Sequence, residues 1–201
     1  MIEIEADYIF CGEMITASRL SFASLHRLHQ LLTSGRTDPG MVYEVIESVN
    51  SYLHSITRIS LALWPSSNGL NSKKPDEQKH ARARLNRGKL LRERLEITED
   101  DREIIGDRKF RNHLAHIDER LDDWIASGNK SYLSNVLGPR SSISGVDDAC
   151  IFELFDPTTL KYYFRGDVFD LVLTSTCVKK IYDRATKFEF EWICAKATSA
   201  K

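Results

Sequence analysis

From Val42 to Leu63 the apolar residues Val42, Val45, Ile46, Val49, Leu53, Ile56, Ile59 and Leu63 recur every three or four positions. That period lays them along one stripe of an α-helix, and a stripe this long must be covered by other elements. Trp64-Pro65 ends it, because proline lacks the N–H that would continue the ladder. The spacing predicts a helix over 41–64. A longer one is expected over 3–33, where Cys11, Ile15, Phe22, Leu25, Leu28, Leu31 and Leu32 carry the apolar face and Gly35 with Asp38-Pro39-Gly40 closes it.

After a turn-rich linker at 65–75, residues 76–96 read as a third helix, with Ala81, Leu85, Leu90, Leu91 and Leu95 as its core side. Thr98 and Asp101 resemble a capping box, and acids in the first turn favour the helix dipole. A fourth helix is therefore expected from about 99 to 127. Residues 128–148 are rich in Ser and Gly and read as a long surface loop. ACIFELF and LKYYF follow as short β-like runs, with Asp156-Pro157-Thr158-Thr159 as the turn between them. Their aromatics Phe152, Phe155, Tyr162, Tyr163 and Phe164 are expected to pack as a small layer. Gly166-Asp167 opens a last helix over 167–196, with Val168, Leu171, Val172, Val178, Ile181, Ala185 and Trp192 on its stripe.

The expected fold class is all-α: an antiparallel bundle of about five helices with a small β-hairpin insertion. It forms a single domain over 1–201, with a bundle core at 1–127, a loop and hairpin at 128–166 and a C-terminal helix at 167–196. A chain of 201 residues can bury a core without disulfide or metal staples. The four cysteines form no CxxC pair and read as reduced core residues. The first ten residues lack a basic segment followed by an apolar run, and no apolar stretch approaches the ~20 residues that span a bilayer. A cytoplasmic location without membrane contact is expected.

The net charge is −1, so the chain is not a polycation and any nucleic-acid contact falls to a local patch. The segment 73–94 supplies one candidate, holding nine Lys/Arg against three Asp/Glu. On a helix Arg82, Arg84, Arg87 and Lys89, continued by Arg92 and Arg94, make a basic ridge able to track an RNA backbone. The bland alternative is a solvated face paired with the acidic run Glu96–Asp107. Aromatics that would stack bases are missing from this helix, so sequence-specific reading is not expected.

The densest chemistry lies in FRNHLAHIDERLDDW, residues 110–124. On one continuous helix Arg108, Asn112 and His116 would share a ridge, and the Arg111 guanidinium could reach back toward it. Arg with His suits phosphodiester cleavage in RNA. Histidine moves protons near neutral pH, and arginine forks phosphate oxygens as charge develops. The mechanism needs no metal and no cofactor. His113 and His116 are three apart, but the HExxH arrangement is absent and no metal site is expected.

Arg111-Asn112-x-x-x-His116 resembles the R-x4–6-H motif of the HEPN superfamily (higher eukaryote and prokaryote nucleotide-binding domains). The resemblance implies an all-α bundle with the motif on a late helix. It also implies a metal-independent endoribonuclease, a homodimer whose two motifs meet, and a toxin–antitoxin or phage-defence setting with an antitoxin or defence-complex partner. It makes Arg111 the phosphate binder, Asn112 the polar helper and His116 the acid/base, with Arg108, His113, Arg82, Arg84, Arg87 and Lys89 as RNA-binding candidates. Members silenced by AMP transfer carry a tyrosine two residues after the histidine; here Asp118 stands there, so that route is not expected. Asp118 and Glu119 also bring acids beside the phosphate site. The alternative is a HEPN-like helical module that binds or dimerises without cutting.

Overall fold

The computed structural model of the chain describes residues 2–106, 116–128 and 131–199. Its helices are α1 (Ile2–Thr33), α2 (Pro39–Leu63), α3 (Pro75–Arg94), α4 (Glu99–Ile105), α5 (Ile117–Ala126) and α6 (Leu171–Ser199). Its strands are β1 (Val136–Leu137), β2 (Leu154–Asp156), β3 (Lys161–Phe164) and β4 (Asp167–Asp170), and they form one sheet in that order. Among the described residues no helix is long and apolar enough to cross a membrane.

The all-α expectation is overturned. The protein is mixed α/β, and the sheet is more than a hairpin insertion. The hairpin of β2 and β3 forms where expected, with Leu154 opposite Tyr163 and Asp156 opposite Lys161. Two further strands extend it. β4 pairs antiparallel with β3, Phe164 facing Asp167, so only Arg165-Gly166 joins them. Both turn residues have positive φ, 48° and 85°. That is the backbone of a type I′ turn, whose twist matches the flanking strands. Residues 167–170 are therefore strand, and the last helix starts at Leu171 instead of Asp167. Val168 belongs to no helical stripe and is half exposed. On the other edge, β1 emerges from the Ser/Gly-rich stretch and pairs parallel with β2.

The chain divides into two compact units. The first takes Met1–Leu20, Ser55–Gly106 and Thr176–Lys201 and is helical. Cys11, Met14, Ile56, Ile59, Leu63, Leu91, Cys177, Val178 and Ile181 are buried in it. Two buried carboxylates stitch distant segments. Asp7 meets Arg94 Nη1 at 3.1 Å. Asp101 completes the capping box with Thr98 and takes Lys180 Nζ at 2.7 Å. Arg184 donates to the carbonyl of Leu95 at 2.8 Å, closing the α3–α4 connection from α6. Burial, and then the Asp7 carboxylate, push the Cys11 thiol up to about 12. Burial and Asp101 do the same for Cys177, so both thiols stay protonated and inert. Cys194 is exposed, outside the core expected for it.

The second unit takes Ser21–His54 and Asp107–Ser175 and carries the sheet. Leu28, Val45, Val49, Tyr52, Phe152, Leu154, Phe155, Tyr162 and Phe164 are among its buried side chains. The aromatics pack as a layer, as expected: Tyr132 lies 4.9 Å from Phe152, and Phe152 lies 5.7 Å edge-on to Phe164. Tyr52 Oη shares a 2.8 Å hydrogen bond with Thr174 Oγ1. Glu153, just before β2, accepts from Asn50 at 3.2 Å and from Ser134 at 2.9 Å, so its carboxylate is tied on both sides.

Two predictions follow from the helical unit. Gly88 lets α3 approach the end of α2: a Cβ there would sit 2.5 Å from Pro65 Cδ and 2.9 Å from the Leu63 carbonyl oxygen. Gly88→Ala should therefore destabilise by about 1–3 kcal/mol despite the better helix propensity of alanine, read by urea unfolding. Asp101 is the second test. Burial alone would raise its pKa, but the donors from Lys180 and Thr98 outweigh that and hold it below the ordinary 3.8. A depressed folded pKa gives stability that is full above the unfolded value and lost as pH falls through the folded one. Asp101→Asn should cost about 1–3 kcal/mol at pH 7. It should also flatten the acid limb of the Tm–pH curve below about pH 4. An unchanged acid limb would remove Asp101 as its source.

Candidate functional site

In α5, Ile117, Leu121, Trp124 and Ile125 fall at helical spacing on one side, with Asp118 and Glu119 in the first turn where the dipole favours them. Gly128, at φ 69°, supplies the left-handed residue just beyond the C-terminal end. None of its residues is buried. It is held to the sheet by Trp124, which packs edge-on against Tyr132 at 5.4 Å and Phe152 at 6.3 Å. The Trp124 indole N–H donates to the Ser131 carbonyl at 3.1 Å. From the β3–β4 turn, Arg165 donates to the Arg120 carbonyl at 2.7 Å while its guanidinium lies over Phe152.

His116 sits at the N-cap of this helix with φ −131° and ψ 41°, outside the helical region. One unbroken helix over 99–127 therefore does not form. α4 stops at Ile105 before Gly106, and α5 starts anew at Ile117. Arg108, Arg111, Asn112 and His113 lie outside the described residues.

The His116 ring is half exposed, and its Nδ1 lies 3.2 Å from Glu119 Oε1. A carboxylate beside one ring nitrogen orients the imidazole. Four residues on, the backbone N–H of Arg120 donates to the His116 carbonyl at 3.1 Å. The Arg120 guanidinium comes within 3.8 Å of Asp123, and its Nε is shut off from water with no acceptor. Sequence reasoning passed over Arg120. The signal was present in His116-Ile-Asp-Glu-Arg120, an i, i+4 pair across one turn.

The basic residues of α3 separate by face. Arg82 and Lys89 are exposed and seven residues apart, and Lys89 is 3.7 Å from Glu93. Arg84 and Arg87 lie on another side. Arg84 donates to the Asn68 carbonyl at 2.7 Å. The Arg87 guanidinium lies over the Phe10 ring, its Cζ 3.9 Å from the centroid. Arg92 and Arg94 serve the unit's own structure, Arg92 donating to the Leu63 carbonyl and Arg94 pairing with Asp7. The six cations of the expected ridge thus divide into two exposed, two half-buried and two structural.

No protein-family model, curated protein or solved structure matches this chain.

Proposed function

We propose that the chain is a metal-independent endoribonuclease acting through the Arg111-Asn112-x-x-x-His116 motif. The observation that carries the reading is the state of His116: exposed, at the start of a helix, and restrained on one ring nitrogen by Glu119. In this reaction His116 takes the proton of the 2′-hydroxyl or returns one to the leaving 5′-oxygen. The 2′-oxygen attacks phosphorus, the bond to the 5′-oxygen breaks, and a 2′,3′-cyclic phosphate remains. Arg111 stabilises the phosphorane, and Arg120 is a second cation within one turn of the histidine. The reading rests on the motif and on His116, not on the fold, which carries a four-stranded sheet the family resemblance did not imply. A homodimer, RNA as substrate, and an antitoxin or phage-defence partner belong to the same proposal.

The second reading is a binding or dimerisation module that does not cut. The acids favour it: Asp118, Glu119, Asp122 and Asp123 crowd the same helix, and Glu119 already occupies His116. Like charge beside an RNA phosphate opposes binding.

Labelled total RNA incubated with the protein in EDTA separates the two. The nuclease reading expects cleavage that leaves 2′,3′-cyclic phosphate ends. His116→Ala should slow it by about 10²–10⁴-fold, the usual contribution of a positioned acid or base, with the Tm unchanged. Equal cutting by both proteins sinks the mechanism. No cutting by either favours the module.

A further inference from the structure

The helical unit contains a groove between the first turns of α1, the loop around Asn68 and one face of α3, with a volume of about 810 Å³. That volume is in the range of small-molecule sites. Its two walls differ. Ala6 and Phe10, one turn apart on α1, form the apolar side. His80, Arg84 and Arg87, at i, i+4 and i+7 on α3, form the cationic side.

The cationic side is not neutralised from within. Among the described residues no carboxylate lies within ion-pair distance of Arg84 or Arg87, whereas Arg94 on the same helix has Asp7 at 3.1 Å. Arg84 is held by the Asn68 carbonyl alone among the described residues. Glu77 is the acid lining the groove, and it is already taken by Ser72 at 2.6 Å and Lys74 at 2.9 Å. The Arg87 guanidinium lies over Phe10, and its Nε is buried without an acceptor. Burial, and then the like charge of Arg84 one turn away on the same wall, lower its pKa. A pair of like charges on one wall is costly, and an anion bound to their terminal nitrogens relieves it.

We propose that this groove binds a small organic anion with a planar apolar body. Its carboxylate or phosphate oxygens accept from Arg84 and Arg87, and its body lies along Phe10 and Ala6. The site is separate from the His116 motif and does not depend on the nuclease reading.

Calorimetric titration of the full chain tests it with three probes: phenyl phosphate, benzoate and inorganic phosphate. Saturable binding of phenyl phosphate or benzoate is expected. Whichever of the two binds tighter identifies the anionic group. Inorganic phosphate should bind at least about tenfold more weakly, because it offers nothing to the apolar wall. Arg87→Gln and Arg84→Gln should each weaken the aromatic probe by about tenfold or more, the loss of a charge-assisted contact. Arg102→Gln, on the surface of α4, should leave affinity unchanged. Should Arg87→Gln fail to fold, Arg84→Gln decides alone. Absence of saturable binding, equal affinity for inorganic phosphate, or equal affinity in the arginine variants overturns the proposal. No RNA enters the measurement, so its outcome is independent of whether the chain cleaves RNA.

Discussion

Burial of one face of α2 is the constraint on which the fold rests. Val45, Val49, Tyr52, Ile59 and Leu63 along it are completely shielded from water. Each such side chain contributes about 1.5–3 kcal/mol on burial, so the helix cannot be surrendered by either unit that draws on it. Its polar residues obey the same demand. Ser48 returns its hydroxyl to the Glu44 carbonyl at 2.7 Å, and Tyr52 finds Thr174. In the helical unit the end of α2 sets the approach of α3. Gly88 meets Leu63 and Pro65 without a side chain between, and Arg92 donates to the Leu63 carbonyl as it passes.

That unit also decides which cations remain for other work. Buried carboxylates need partners, and Asp7 and Asp101 take theirs from Arg94 and Lys180, far away in sequence. A cation committed in this way cannot also follow an RNA backbone. The basic run of α3 therefore supplies less free charge than its composition suggests. What is left is uneven: Arg82 and Lys89 in water, Arg84 and Arg87 in a half-apolar groove. The second pair is the more informative chemically, since an exposed cation is satisfied by solvent, whereas Arg84 leans on the Asn68 carbonyl and the Arg87 Nε is buried without an acceptor.

The long helices were legible because their apolar residues keep a 3.6 period over many turns. α1, α2 and α3 start and stop within about two residues of where the pattern and its Pro and Gly punctuation place them. The hairpin was legible through Asp156, whose carboxylate takes the Thr158 N–H at 2.9 Å and its hydroxyl at 2.6 Å to form the turn. β4 was not, because Val168 falls in phase with the stripe of α6 and Asp167 mimics a helix start. The contrary signal was Arg165-Gly166, short enough to be a type I′ turn. β1 was out of reach: two residues long, it exists only through parallel pairing with a strand beyond a loop. At the site, the residue types were legible and the helix continuity was not. Ile105-Gly106 reads as a tolerated glycine inside a helix, yet it ends one.

The acids of α5 divide the two functional readings less sharply than their number suggests. His116 with Glu119, and Arg120 with Asp123, are pairs open to water, at 3.2 Å and 3.8 Å. Exposed pairs of this kind hold with about 0–1 kcal/mol. A charge-assisted hydrogen bond from a guanidinium to a phosphate oxygen contributes about 1.5–3 kcal/mol. Under the nuclease proposal an incoming phosphodiester would therefore displace Asp123 from Arg120 at little cost, while Glu119 would stay beside His116 and stabilise the imidazolium that the proposed reaction forms. Repulsion from Asp118 and Asp122 acts on the approach of RNA more than on the step itself, and salt screens it over about 10 Å. On these magnitudes, under the nuclease proposal the acidic helix would set how readily RNA arrives, and the cations facing the phosphate would set whether it is cut.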